Sequence, residues 1–168
     1  DTLASLSMHA FALQNQGKIE EAVAEVREAL RLQEQTLGEG HKDTVDSRAS
    51  LADMLNDLGQ FEEAVQVGRR NTEIATRTLG PTHSKTLEAR SILASSLKDL
   101  DRLDEAQKEA SKLLARDGKH SGAARVIIQV AIERRDYASA VRLASEFAKE
   151  SADDVEVLRA LADAHVGL

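Results

Sequence analysis

This chain of 168 residues contains an internal repeat with a period of 42 residues, which limits the folds open to it to repeat architectures. The sequence GKIEEA at Gly17–Ala22 recurs as GQFEEA at Gly59–Ala64 and again as DRLDEA at Asp101–Ala106. The loop sequence Leu-Gly-x-x-His at Leu37–His41 returns at Leu79–His83. Self-similarity at a fixed period predicts stacked structural units, each of which covers the apolar face of its neighbour.

Two helices are predicted in each unit. Ala and Leu, both strong helix formers, dominate the composition, and proline occurs only at Pro81. The apolar stripe of each first helix ends at Gly17 and Gly59, where a left-handed residue is expected, and Asp101 takes that place in the third unit. Short side chains predict close contact within the pairs: Ala10 and Ala22, Ala52 and Ala64, Ala94 and Ala106. The expected helices are 3–16, 19–37, 43–58, 61–79, 84–100, 103–116, 120–134, 137–150 and 153–166.

The same pattern divides the chain into units. We expect a single solenoid over residues 1–168, with units at about 1–42, 43–84, 85–118 and 119–152 and a half unit at 153–168. The period shortens to 34 residues after Asp101. The last predicted helix has apolar residues on every side, whereas the end of a solenoid needs a polar face. We therefore expect that the chain is a fragment of a longer one, or that this helix forms a homodimer contact.

These features resemble the tetratricopeptide repeat family over essentially the whole chain. The 34-residue step, the contacts between small residues and the Gly-x-[aromatic or aliphatic]-x-x-Ala turn belong to that family's pattern. The first three units are similar to the 42-residue variant of kinesin light chains, whose mark is the Leu-Gly-x-x-His loop. The proline that usually follows the His is replaced by Lys42 and Ser84. The resemblance implies an all-α, right-handed superhelical solenoid of antiparallel helix pairs and a protein-interaction scaffold.

The composition argues against several classes of function. The absence of cysteine excludes disulfides, zinc–thiolate sites and cysteine nucleophiles. The net charge of −7 argues against a general binder of nucleic-acid phosphates, because such a protein needs a basic face. No apolar run approaches the length of a membrane span, and no signal-peptide pattern opens the chain. We therefore expect a cytoplasmic protein with no nucleic-acid or membrane partner.

Catalytic and cofactor motifs are not found. No phosphate-binding loop, dinucleotide fingerprint, zinc-protease motif or serine-hydrolase motif occurs, so no enzyme activity and no cofactor are expected. Acidic pairs recur at the first turn of each second helix: Glu20-Glu21, Glu62-Glu63 and Asp104-Glu105. Acidic groups at that place complement the helix dipole, which favours a structural role for them over acid–base catalysis.

The histidines are also interpreted as structural. His41 and His83 occupy equivalent loops of adjacent units, too far apart to share a metal ion. Each is expected to make a loop hydrogen bond that fixes the start of the next helix. His9 stands at the repeat position of Leu51, so we expect it to be partly buried.

The concave groove, lined by the first helix of each unit, is the candidate binding site. Positions outside the packing stripe are predicted to face it: Met8, Phe11, Asn15, Asp46, Ser50, Asp53, Asn56, Asp57, Glu88, Ile92, Ser95 and Asp99. Ala49 is placed in the same exposed set. Met8 and Phe11 form an apolar patch at one end, while the middle holds five carboxylates and one cation, Lys98. We expect an extended or helical peptide, basic in its middle and with an apolar anchor toward Phe11.

Three functions remain open at this point. The first is a non-catalytic scaffold that binds a protein or peptide. The second is a sensor or regulatory module of a larger signalling protein, beside a kinase, an ATPase or a transcription regulator. The third is an RNA-reading helical repeat, which would need basic groove residues and is opposed by Asp46, Asp53 and Glu88.

Overall fold

The computed structural model describes residues 2–116, 118, 120–150, 159 and 162. All regular secondary structure among these residues is helical. Eight helices are found there: α1 (Thr2–Asn15), α2 (Ile19–Thr36), α3 (Lys42–Asp57), α4 (Phe61–Thr78), α5 (Ser84–Asp99), α6 (Leu103–Leu114), α7 (Ser121–Glu133) and α8 (Tyr137–Glu150). Their bounds agree with the predicted ones to within two residues. The predicted ninth helix, 153–166, and its homodimer contact fall outside the described residues apart from positions 159 and 162.

Each helix packs against the next one along the chain, and α5 also packs directly against α3 and α7. The odd-numbered helices therefore form one wall of the molecule, and the even-numbered helices form the other. The predicted solenoid of antiparallel helix pairs is confirmed. The alanines expected between paired helices are all buried: Ala10, Ala22, Ala52, Ala64, Ala94 and Ala106.

The turns inside the helix pairs repeat one backbone geometry. The central residue has a positive φ in each of the four turns: Gly17 (75°), Gly59 (72°), Asp101 (58°) and Arg135 (59°). In the second turn the amide of Gly59 donates to the carbonyl of Asn56, and the amide of Gln60 donates to that of Leu55, both at 2.9 Å. The same two bonds recur in the other three turns. Glycine adopts this conformation freely, whereas the last two central residues hold it with a side chain.

The loops between units end on histidine caps. The Nδ1 atom of His41 accepts a hydrogen bond from the amide of Asp43 at 3.3 Å, and Nδ1 of His83 accepts one from Lys85 at 3.2 Å. His120 caps α7 in the same way. The side chain thus satisfies one amide that the helix start leaves without a partner. The predicted role of the loop histidines is confirmed.

Candidate functional site

The twelve residues predicted for the groove all lie on α1, α3 and α5, and we call the surface lined by these helices the inner groove. Seven of them are exposed: Met8, Phe11, Asn15, Ser50, Asp53, Asp57 and Glu88. Five are partly buried: Asp46, Asn56, Ile92, Ser95 and Asp99. All twelve are therefore accessible to solvent in some degree, and their role in binding stays a prediction.

One repeat position changes its chemistry along the inner groove. Phe11 on α1, Asp53 on α3 and Ser95 on α5 follow one another at 42-residue intervals. An aromatic ring, a carboxylate and a hydroxyl thus occupy equivalent places in three consecutive units. A ligand that runs along the groove meets an apolar unit first, then an acidic one, then a polar one.

The apolar end of the inner groove lies on α1. Met8 is 74% exposed and Phe11 is 64% exposed, and two large apolar side chains exposed on the same face of a helix are typical of an interaction surface. Phe11 also lines a cavity of about 170 Å³ together with Ser50 and Met54 of α3. The direct contact between α1 and α3 is weaker than that between α3 and α5. The seam between the first two units is therefore open at the place where the aromatic ring stands.

The acidic middle of the inner groove centres on Asp53. Desolvation on the groove wall, followed by the nearby charges of Asp57 and Glu88, raises the pKa of Asp53 above its ordinary value. Among the described residues no cation lies within ion-pair distance of Asp53 or Asp57. Like charges at close range destabilise one another, so this part of the groove favours a cationic ligand.

The other predicted carboxylates already have partners. Lys85 binds Asp46 and lies 3.1 Å from Glu88, and these contacts raise the pKa of Lys85. Lys98 pairs with its neighbour Asp99. The sequence predicts Lys98 as the one groove cation, but the long side chain of Lys85, in the first turn of α5, also reaches back to α3. The free acidic surface is thus smaller than the sequence predicts.

Two of the sequence expectations are wrong. Ala49 is 4% exposed rather than open to the groove, because α3 packs against α2, α4 and α5 and leaves only a narrow strip to solvent. The side chain of His9 is 61% exposed rather than partly buried, with Nδ1 at 3.3 Å from Glu25. Its repeat equivalent Leu51 is buried because α2 covers it, whereas no described helix precedes α1.

One residue of the acidic pair on α4 and one on α6 form ion pairs with the second helix of the preceding unit. Arg27 of α2 binds Glu63 of α4 at 2.7 Å, and Arg69 of α4 binds Glu105 of α6 at the equivalent place. These contacts favour a structural role over a catalytic one. In the described residues, no group of three or more His, Asp or Glu side chains is arranged to hold a metal ion. No helix in that part of the chain has the length and apolarity needed to cross a membrane.

A buried arginine network is the main feature that the sequence did not predict. Arg48 on α3 is 1% exposed, and its Nη2 donates to Glu34 Oε1 at 2.7 Å. Its Nη1 lies 3.3 Å from Asn71 Oδ1 and 3.3 Å from the carbonyl oxygen of Glu39. Asn71 in turn donates to the carbonyl of Val45 at 2.9 Å. Helices α2, α3 and α4 are thus joined through one guanidinium group.

The repeat equivalent of this arginine, Arg90 on α5, has different surroundings. Thr76 and Leu113 stand where the first network has its Glu and Asn. Arg90 is 9% exposed, donates from Nη1 to Glu109, and has a buried Nε without an acceptor among the described residues. It lines a cavity of about 520 Å³ between α4, α5 and α6. The repetition of an arginine at one repeat position, Arg48 and Arg90, is the sequence feature from which both sites could have been found.

Several solved structures have a fold similar to that of this chain. A kinesin light chain-like protein of Podosopora anserina with nearly identical TPR-like repeats matches with a TM-score of 0.82 and 22% identity, over 98% of this chain and 86% of that one. MamA of Desulfovibrio magneticus RS-1 matches with a TM-score of 0.73 and 13% identity, over 99% and 85%. YrrB, described as a TPR protein with an unusual peptide-binding site, matches with a TM-score of 0.59 and 19% identity, over 92% and 89%.

Sequence comparison identifies the family directly. The Tetratricopeptide repeat family model matches residues 1–75 and 47–119, which together span well over half of the chain. No curated protein sequence matches significantly. Proteins built from these repeats generally bind other proteins or peptides and are generally not enzymes. The chain belongs to the tetratricopeptide repeat family, and its fold is similar to that of the kinesin light chain-like repeats.

Proposed function

We propose that the inner groove binds an extended or helical peptide, with basic residues opposite α3 and an apolar side chain opposite Phe11. The protein then acts as a non-catalytic interaction scaffold. The observation that supports this most is the acidic pair Asp53 and Asp57, which is exposed and has no cation partner among the described residues. YrrB, which shares the fold, is itself described as having a peptide-binding site.

The charge of the ligand follows from the electrostatics of α3. A lysine or arginine placed near Asp53 removes the repulsion that Asp57 and Glu88 exert on it. Such a cation binds the ionised carboxylate, so the affinity falls when the pH drops through the raised pKa of Asp53. Steering by opposite charges also accelerates association and makes it sensitive to salt.

The apolar anchor follows from the open seam between α1 and α3. The cavity of about 170 Å³ beside Phe11 has room for a branched aliphatic side chain and is bordered by Met54 of α3. Burial of one such side chain contributes about 1.5–3 kcal/mol, which is enough to fix the direction of a short peptide in the groove. Met8, on the same face of α1, adapts its shape to different anchors.

The acidic part of the proposal is tested with a fluorescein-labelled peptide, Leu-Ser-Ser-Lys-Lys-Ser, in fluorescence anisotropy at low salt. The variant Asp53→Lys with Asp57→Lys is expected to weaken binding at least about tenfold, or 1.4 kcal/mol. The control, Glu20→Lys with Glu62→Lys, changes the net charge equally on α2 and α4, outside the groove. Binding that drops equally in both variants, or in neither, contradicts the proposal.

The apolar part is tested separately by a double-mutant cycle. Phe11→Ser is expected to weaken the leucine-containing peptide several-fold and to leave a peptide with Ser in place of Leu unchanged. Both measurements use the same anisotropy assay. Equal loss for the two peptides means that Phe11 does not contact the anchor, and the direction proposed for the peptide is then wrong.

A further inference from the structure

We infer that the molecule has a second binding surface, which takes a carboxylate side chain from an acidic protein segment beside Arg90. The site lies in the cavity of about 520 Å³ between α4, α5 and α6, and most of its lining residues belong to α4 and α6. We call it the outer groove, and its cationic residues are Arg69, Arg77, Arg90 and Lys112. It is independent of the peptide proposed for the inner groove.

The first interface of the same molecule shows which ligand chemistry fits an arginine at this position. Arg48 is held by a carboxylate from α2, Glu34, at 2.7 Å, with an amide and a carbonyl oxygen as further acceptors. In the second interface the residue equivalent to Glu34 is Thr76, which has no charge and lines the cavity. A carboxylate that enters from a partner beside Thr76 therefore takes the place that Glu34 fills in the preceding unit.

The donors of Arg90 are largely unused by the protein. Its Nη1 donates to Glu109, but its buried Nε has no acceptor among the described residues. The Oγ1 atom of Thr72, in the same cavity, is also buried and without a partner there. A buried polar atom without a hydrogen bond is costly, and a guanidinium group offers five donors. These two atoms mark the floor of the outer groove as a place for a polar ligand.

The charge balance of the lining favours an anion. The four cations of the lining outnumber its two carboxylates, Glu73 and Glu109, although Arg69 is already paired with Glu105 of α6. Glu109 is shared between Arg90 and Lys112, and Arg77 is held only loosely, at 3.9 Å from Glu73 and 3.4 Å from Glu39. An acidic side chain that binds Arg90 therefore also meets the positive charges of Arg77 and Lys112, which line the same cavity.

The test uses two charge-matched variants of α4 and a labelled hexaglutamate peptide, with hexaglutamine as the neutral control. Thr76→Glu places a carboxylate where the first interface has Glu34, so it fills the site from within. Gln66→Glu adds the same charge at an exposed position of α4 outside the cavity. Binding is measured by fluorescence anisotropy, and circular dichroism checks that both variants are folded.

The wild-type chain is expected to bind hexaglutamate and not hexaglutamine. Thr76→Glu is expected to weaken hexaglutamate about tenfold, whereas Gln66→Glu changes it less than about twofold. Neither variant is expected to alter binding of the basic peptide to the inner groove. The inference is overturned if the wild type does not distinguish the two peptides. It is also overturned if the two variants weaken binding equally, because long-range repulsion then explains the result.

Discussion

The first and second interfaces between units present one arginine in two different settings. Arg48 is enclosed by α2, α3 and α4 and makes three hydrogen bonds. Arg90, 42 residues later, makes one and borders a large cavity. Both arginines stand at the same repeat position of a 16-residue helix, and the residues that neighbouring helices contribute around them differ. A repeat fixes where a side chain stands, while its partners decide whether it holds the fold together or stays available to a ligand.

Substitution of each arginine by methionine compares the stability that the two residues contribute, and it gives the greatest loss of stability that we expect. Arg48→Met leaves Asn71 and a backbone carbonyl without their donor, and is expected to lower the free energy of unfolding by about 3 kcal/mol. Arg90→Met is expected to cost about 1 kcal/mol, because Glu109 keeps its contact with Lys112. Urea denaturation of both variants measures the difference. Similar losses would mean that the two interfaces are energetically equivalent despite their different contacts.

A second variant replaces one residue of the second unit by the residue found at the equivalent position of the third unit. Asn71→Leu introduces the side chain found at the equivalent position, Leu113, and removes one acceptor from Arg48 and one donor from the carbonyl of Val45. We expect a loss of about 2 kcal/mol. The control is the same change in the Arg48→Met background, where part of the network is already gone and the loss is smaller. Additive losses would show that the two side chains do not cooperate.

The turns extend the comparison to the backbone. Gly59→Ala forces a side chain into a left-handed turn and is expected to lower stability by about 1 kcal/mol. Arg135→Gly releases that strain in the fourth unit, but glycine also makes the unfolded chain more flexible, which favours unfolding. The expected net gain in stability is therefore only about 0.5 kcal/mol. Thermal unfolding measures both. A destabilising Arg135→Gly would indicate that the arginine side chain contributes more than the turn costs.

The smallest effect concerns the acidic groove of the second unit. Because the pKa of Asp53 is raised in the folded state, the folded chain takes up a proton at a higher pH than the unfolded chain. Stability from this group is therefore greatest below the ordinary Asp pKa and is lost as the pH rises through the raised value. Asp53→Asn is expected to increase stability at neutral pH by a few tenths of a kcal/mol, given its exposure to solvent.

Urea denaturation of this variant across the acidic range gives the test. The variant should lose the pH-dependent contribution of Asp53, while Ser95→Asn, at the equivalent position of α5, should leave the profile unchanged. An unaltered profile in Asp53→Asn would mean that desolvation and the charges of Asp57 and Glu88 do not raise the pKa of Asp53 in the folded chain.

Much of the inner groove could be predicted from the sequence because helical periodicity alone assigns a face to each residue. Phe11 and Asp53 are exposed as predicted, since an exposed position needs only the absence of a packing partner. Ala49 is buried against the prediction because its environment depends on the helices that flank α3. The pairing of Lys85 with Asp46 could not be predicted for a similar reason, because the contact joins two units and its geometry depends on how they stack.

The amino-acid sequence alone is enough to predict the family, the helices, the left-handed turns at Gly17, Gly59 and Asp101, and the helix caps at His41 and His83. Each of these depends on residues close together in the chain or on a repeat that can be counted. Three outcomes became visible only in the packed molecule: which carboxylates have no cation beside them, which loop oxygen and side-chain amide bind Arg48, and why Arg90 has fewer hydrogen-bond partners. Those outcomes depend on distances between side chains of three different helices, and electrostatic and hydrogen-bond energies change steeply over such distances.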